Sequence, residues 1–287
     1  MDIALECIPC TIQSYLRLVN SGFIPEPHQD AIMRQILRYL SELDYNQSPP
    51  AMAQIMHRQM RSILGNVDPY AGVKKQYNHM MMERYNEFRR TIDRSSDPFN
   101  TAMRYAIAGN VIDFGAKHLL DVDETIRRVL HADLAINDSN RLENELKQAE
   151  TVLYIGDNAG EIVMDRLFIE TIGHPNLTYV VRGNPVINDA TLDDAKIVGM
   201  DEVAQIITTG DDAPGVVWSG ASDAFKNQFE AADVVISKGQ GNLEGLFDTN
   251  RSVYFLFVAK CERMARLVHV SEKSFVVWRK GVSSNFD

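Results

Sequence analysis

The chain has 287 residues, 45% hydrophobic and 24% charged, the balance of a soluble globular protein long enough for one large domain or two ordinary ones. A formal charge of −10 and a pI near 5.2 argue against nucleic-acid and anionic-membrane partners, so a phosphorylated ligand has to be met by a local cation or a metal. Three cysteines, Cys7, Cys10 and Cys261, describe no disulfide framework. No apolar run reaches the roughly 18 residues of a membrane span, and the N-terminus lacks the basic start and apolar stretch of a signal peptide, so the expected location is the cytoplasm.

Residues 1–149 read as helix after helix. Apolar periodicity predicts helices over 3–19 and 27–43, the second carried by Ile32, Ile36, Leu37 and Leu40. Pro49-Pro50 opens a third towards Leu64, and a Met-, Tyr- and Arg-rich segment occupies about 70–94. Asp97-Pro98 has the form of an N-cap followed by proline at the first helical position. The helix it starts, over 99–120, carries Ala102, Ala106, Ala108, Gly109 and Gly115, small residues that imply close approach of a neighbour. Shorter helices are expected over 123–135 and 140–149, and no convincing strand in this half.

The pattern changes at Thr151. Short apolar, β-rich runs at 151–155, 177–181, 205–208, 233–237 and 253–258, with a weaker one at 275–278, alternate with helical segments at 159–172, 219–231 and, briefly, 243–247. Strand–helix–strand alternation implies a parallel sheet. The expected architecture is a helical domain over 1–149 and a doubly wound, Rossmann-like α/β domain over 150–287 that carries the site.

Polar, turn-forming sequence follows three of these strands: Gly156-Asp157-Asn158-Ala159-Gly160-Glu161, Arg182-Gly183-Asn184-Pro185 running on to Asn188-Asp189, and Lys238-Gly239-Gln240-Gly241-Asn242. Ligands of open parallel sheets bind outside the carboxyl ends of the strands. If these strands are neighbours, Asp157, Asn158, Asp189 and Lys238 converge on one crevice. Two carboxylates and an amide oxygen are the hard ligands that Mg²⁺ and Mn²⁺ prefer. Lys238 supplies a charge for phosphate oxygens, and Gly239 and Gly241 allow close approach of backbone N–H groups to an anion. Each piece has a plainer alternative. Asp157 and Asn158 can cap the helix that follows, Asn188 and Asp189 can cap one beginning at Ala190, and Lys238 can be a solvated turn lysine. Neither a dinucleotide-binding glycine motif nor a P-loop is present. Cys7-x-x-Cys10 has the spacing of half a zinc site or a redox pair, with two thiols at a helix start as the plainer reading. Asn110 and Asp113 place polar groups in an otherwise packed helix, as a buried pair or as a wall of the same site.

These segments, with Cys7-Ile8-Pro9-Cys10, Gly109-Asn110 and Asp113, Asn188-Asp189-Ala190-Thr191 and Asp212-Ala213-Pro214-Gly215, span nearly the whole chain. The combination resembles the metal-dependent damage-control phosphatases, long filed as domain of unknown function 89, and especially their compact prokaryotic branch with an N-terminal Cys-x-x-Cys. The resemblance implies a helical domain packed on an αβα sandwich, and hydrolysis of small phosphorylated metabolites such as sugar phosphates with Mn²⁺, Co²⁺, Ni²⁺ or Mg²⁺. It implies Asp157, Asn158 and Asp189 as metal ligands and Lys238 as a phosphate contact, with Asn110 and Asp113 lining the pocket. Arg182, Asn184, Gly239 and Gly241 are further candidate substrate contacts. The expected chemistry is attack of a metal-activated water on phosphorus, with Glu161 orienting the water or protonating the leaving group. An aspartyl-phosphate route through Asp157 is the chemical alternative. Val216 departs from the resemblance, which has threonine there. The rival classes are a methyltransferase acting on carboxylates and a non-catalytic metal- or metabolite-binding protein.

Overall fold

The computed structural model describes residues 1–65, 68–110 and 122–281. The helical half begins with α1 (Cys7–Asn20), α2 (Glu26–Ser41) and α3 (Pro49–Ile63), whose buried faces join Ile3, Tyr15, Ile24, Ile32, Ile36, Met52, Met56 and Met60 in a core of their own. The 70–94 segment breaks at Arg84 into α4 (Ala71–Glu83) and α5 (Tyr85–Asp93). Asp97 does cap α6 (Pro98–Gly109), its carboxylate accepting from the Asn100 amide at 3.0 Å. The small residues of α6 admit the neighbour that the sequence implies. A Cβ on Gly109 would lie 2.9 Å from Cγ and 3.1 Å from Cα of Glu161.

Helix α7 (Val122–His131) stops short of its expected end, and a strand follows. β1 (Leu134–Asn137) pairs in parallel with β7 (Phe275–Lys280), and α8 (Ser139–Leu146) comes after it. This strand corrects the expectation of none in the first half. It is four residues long, alternates half-buried with exposed positions, and is stabilised by partners about 140 residues away, so no local apolar run announces it.

The remaining elements alternate: β2 (Val152–Ile155), α9 (Glu161–Ile172), β3 (Leu177–Val181), α10 (Leu192–Ile197), β4 (Gln205–Thr208), α11 (Asp223–Ala231), β5 (Val234–Lys238), α12 (Gln240–Leu246), β6 (Val253–Val258), α13 (Glu262–Leu267) and β7. The sheet order is β1-β7-β6-β5-β2-β3-β4. β2 to β6 run parallel, whereas β7 is antiparallel to β6 and carries β1 with it. β2, β3, β5 and β6 are buried throughout, hence their uninterrupted apolar runs.

One face of the sheet shares a core with α4 to α9, and the other packs on α11, α12 and α13. The boundary expected at 149/150 therefore cuts through one continuous core, which includes Met81, Phe88, Ala106 and Val129 as well as Tyr154 and Phe168. The N-terminal helices up to Tyr70 are the part with a separate core. Val216 is buried among apolar side chains of the second face.

Candidate active site

The chain runs from β2 out to β3 and β4, then returns to the other side of β2 with β5 and β6. The crevice at this reversal, beyond the carboxyl ends of β2 and β5, is where open α/β sheets bind ligands. The loop after β2 and the loop after β3 are zipped together there. Ala159 N donates to Asn188 O and Ala190 N to Asp157 O, both at 2.8 Å, setting Asn158 opposite Asp189. The loop after β5 closes the third side. Gly239 has φ +80°, and a Cβ there would lie 2.0 Å from Asp157 Oδ2, so only glycine fits.

Asp157 Oδ2 accepts from Asn158 Nδ2 at 2.9 Å and from Asn110 Nδ2 at 2.8 Å. The same two amides donate to Glu161 Oε2, at 3.0 and 3.1 Å. Carboxylates only accept, so both amide nitrogens must face them and both amide oxygens turn away. Asn110 Oδ1 is left buried without a partner among the described residues. Arg182, 1% exposed, donates through Nε to Asp189 Oδ2 at 2.7 Å and through Nη2 to Asn242 Oδ1 at 3.0 Å, with Asp157 Oδ1 at 3.6 Å. Its Nη1 is buried without a partner among the described residues. Asn242 in turn donates to the carbonyls of Gly156 and Lys238, at 3.0 and 2.7 Å.

The capping alternatives do not hold. Neither Asp157 nor Asn158 caps α9, and α10 starts later, with a capping box of Thr191 and Asp194. Lys238 is neither a solvated lysine nor a free phosphate contact. It is fully buried, and Nζ donates to Glu161 Oε1 at 2.6 Å, Asp165 Oδ1 at 2.7 Å and Ala106 O at 2.7 Å, which uses all three of its donors. Burial alone would lower its pKa, but the two carboxylates outweigh that and hold the ammonium charged. Glu161 is equally enclosed, with both oxygens engaged by Lys238 and the two asparagines, so it orients neighbours instead of facing a leaving group.

Asn184 is exposed, tied into the fold by its backbone N–H on Asp211 O. Gly241 packs closely on the Pro214 carbonyl, which a Cβ there would meet at 2.7 Å. Asp113 lies outside the described residues. Cys7 and Cys10 stand in the first turn of α1. All three thiols are free, Cys7 accepting from Arg263 and Cys261 from Gln240.

The sequence reading missed a set of polar residues that hold this geometry. Asp165 accepts from Tyr154, Tyr179 and Lys238, and its spacing of four from Glu161 within an apolar helix is the signal that could have found it. On α4, Asn78 accepts from Gly160 N at 2.6 Å and donates to Asp194 at 2.8 Å, while Lys74 pairs with Asp194 at 3.2 Å and reaches Asp189 O at 3.3 Å. Asp212, in the Asp-Ala-Pro-Gly segment, binds Gln54, Arg58 and Arg61 of α3, so that segment seats the helical layer.

The crevice carries an excess of acid. Asp157, Glu161, Asp165 and Asp189 face the two cations Lys238 and Arg182. Burial first, then the charges of Glu161 and Asp189, push Asp157 up to about 7; burial likewise raises Asp189 against the pull of Arg182. A divalent cation would relieve that repulsion, and the orphaned amide oxygen of Asn110 suits a ligand-bound water, so the donor set fits such an ion. Among the described residues, no three His, Cys, Asp or Glu side chains form a cage alone. An ion at Asp157 and Asp189 would draw on Asn158 and on oxygens of water or substrate.

The damage-control phosphatase ARMT1-like domain matches residues 3–276. The chain belongs to this family. A damage-control phosphatase of Pyrococcus horikoshii is 33% identical over 97% of this chain and 98% of its own length. One of Archaeoglobus fulgidus is 36% identical over 82% of this chain and 84% of its own. An uncharacterised protein of Methanocaldococcus jannaschii is 34% identical over 94% of this chain and 93% of its own. The crystal structure of a domain-of-unknown-function-89 protein from P. horikoshii superposes with a TM-score of 0.89 and 32% identity, covering 97% of this chain and 99% of that one. Family membership agrees with the mixed α/β architecture and the mainly parallel sheet. No helix of the described residues is long and apolar enough to cross a membrane.

Proposed function

We propose that this chain is a divalent-cation-dependent phosphatase that hydrolyses small phosphorylated metabolites, sugar phosphates among them, in the cytoplasm. The observation that carries the reading is the buried acidic crevice at the β2/β5 reversal, in a chain of the damage-control phosphatase family. Asp157, Asn158 and Asp189 would hold Mn²⁺, Co²⁺, Ni²⁺ or Mg²⁺. When bound, such an ion offsets charge on phosphoryl oxygens and makes water more acidic.

The remaining roles belong to the chain's own residues. Arg182 fixes the Asp189 carboxylate, and Asn242 fixes Arg182. Glu161 holds the amides of Asn158 and Asn110 so that their oxygens face the ligand. Lys238 neutralises Glu161 and Asp165 beneath the site. Gly239 leaves room for Asp157. The free thiols fit a reducing compartment.

The test is phosphate release from an aryl phosphate and a panel of sugar phosphates by metal-stripped protein, with and without each of the four metals, beside Asp157→Ala. Metal-dependent release that the substitution abolishes supports the reading. Folded protein that binds Mn²⁺ yet releases no phosphate with any metal or ester refutes it.

A further inference from the structure

A cavity of about 510 Å³ lies between α1, α3 and the loop after β3, a size that suits a small metabolite. Ile187 and Asn188 form one of its walls, and the residue that follows them is Asp189 of the crevice. The cavity therefore adjoins the candidate reaction centre on the α1–α3 side. Ile187 is held at φ 41°, in the left-handed region that β-branched residues rarely adopt, so the shared wall is a strained turn.

The other walls are mixed. Met56, Met60 and Tyr70 supply apolar and aromatic surface, and Thr11, Ser14 and His57 supply hydrogen-bonding groups. Burial holds the His57 pKa at about 4, so this imidazole is neutral at neutral pH and the positive charge of the lining comes from Arg17. Arg17 Nη2 donates to Ser14 Oγ at 2.7 Å, a neutral neighbour on the same helix, and no carboxylate of the described residues pairs with the guanidinium. Arg58 and Arg61, by contrast, hold Asp212, and Arg182 holds Asp189. A guanidinium with open donors takes a carboxylate or a phosphate in paired, charge-assisted hydrogen bonds. Asp157, Asp189 and Lys238 are not among the residues that line the cavity, so what fills it is the part of an ester that does not react.

We propose that the cavity receives the organic part of the substrate and that Arg17 binds a second anionic group on it, a carboxylate or a second phosphate. This rests on the phosphatase reading above and narrows its substrate class to phosphate monoesters with a second anionic end. It also gives the α1–α3 unit, which has a core of its own, the task of selecting the substrate beside loops that carry the reaction.

The test uses wild type, Arg17→Ala and Arg17→Lys with Mn²⁺ on two matched pairs of esters. Glucose 6-phosphate is set against 6-phosphogluconate, which adds a carboxylate, and fructose 6-phosphate against fructose 1,6-bisphosphate, which adds a phosphate. Loss of one charge-assisted contact lowers the preference for the doubly anionic member, read as the ratio of kcat/KM values, by about 10- to 100-fold in Arg17→Ala. Arg17→Lys, which keeps the charge without the fork, recovers part of it. A change confined to one pair identifies the second anion as carboxylate or as phosphate. Ratios within about twofold of wild type in both pairs overturn the proposal, and so does an equal loss on all four esters. Calorimetric titration of the two doubly anionic esters into the Mn²⁺-loaded proteins keeps the two readings apart. A wild type that turns over no ester sinks the phosphatase reading. Binding that Arg17→Ala weakens by tenfold or more then still supports the cavity assignment, and binding that is absent or not weakened refutes it.

Discussion

The strand-end loops and the helical layer that covers them contribute polar residues of two kinds. The loops after β2, β3 and β5 present Asp157, Asn158, Asp189 and Gly239 to the crevice, in contiguous polar segments that break apolar strands. Helices α3 and α4 send Arg61, Asn78 and Lys74 into the loops from behind, one residue at a time, while Asn110, just past α6, joins the crevice wall beside Asp157. The first group lines the crevice, and the second fixes how the loops that carry it are held. Lys238 shows the difference within a single motif. It ends β5 where such a segment begins, but belongs by its contacts to the supporting group, beneath Glu161 and Asp165.

The comparison can be broken where the two groups are exchanged. The largest effect is expected at Asp157→Ala, which should lower metal-dependent kcat/KM by about a thousandfold or more with the fold retained. Activity within tenfold of wild type, read by phosphate release, would remove Asp157 from the site.

Next in size is Lys238→Met. It leaves Glu161 and Asp165 buried without their cation, at a cost of about 3–5 kcal/mol and a fall in Tm of about 10 °C. An inactive variant with wild-type Tm would mean that Lys238 acts on substrate after all.

Asp212→Asn comes third. It weakens the seat of α3 on the α/β core by about 1–3 kcal/mol in chemical denaturation, while phosphate release stays within a few-fold. A larger loss of activity than of stability would show that the docking of α3 is part of the site.

The smallest effect is a pH dependence away from the crevice. Burial first, then the charge of Arg61, lowers the His57 pKa from 6.5 to about 4. The unfolded chain therefore takes up this proton before the folded one does. The stability it confers is complete above about 6.5 and is lost as pH falls towards about 4, a contribution of about 1–3 kcal/mol. His57→Asn should flatten that part of the stability–pH curve, and equal slopes in both proteins would refute the assignment.

Much of this was legible before any coordinates. Strands buried on both faces write themselves as apolar runs, and the polar breaks after 155, 181 and 237 mark the ends where ligands bind. Asp97-Pro98 and the small residues of α6 announced a cap and a close contact, and both are present. Two other features were not legible. β1 owes its existence to β7, and the fate of Lys238 rests on carboxylates of α9, so neither has a local signature.

The sequence by itself determined the α/β class, the alternation of elements after residue 150, and which loops carry the chemically competent oxygens, because periodicity and turn chemistry act over a few residues. Only the tertiary structure decided the order of the strands, the joining of helices α4 to α8 to the sheet's core, and the division between residues that face the crevice and residues that brace it. That division is set by burial and by long-range hydrogen bonding. A lysine in a glycine-rich turn is the same string of letters whether its ammonium meets water, a phosphate or two buried carboxylates.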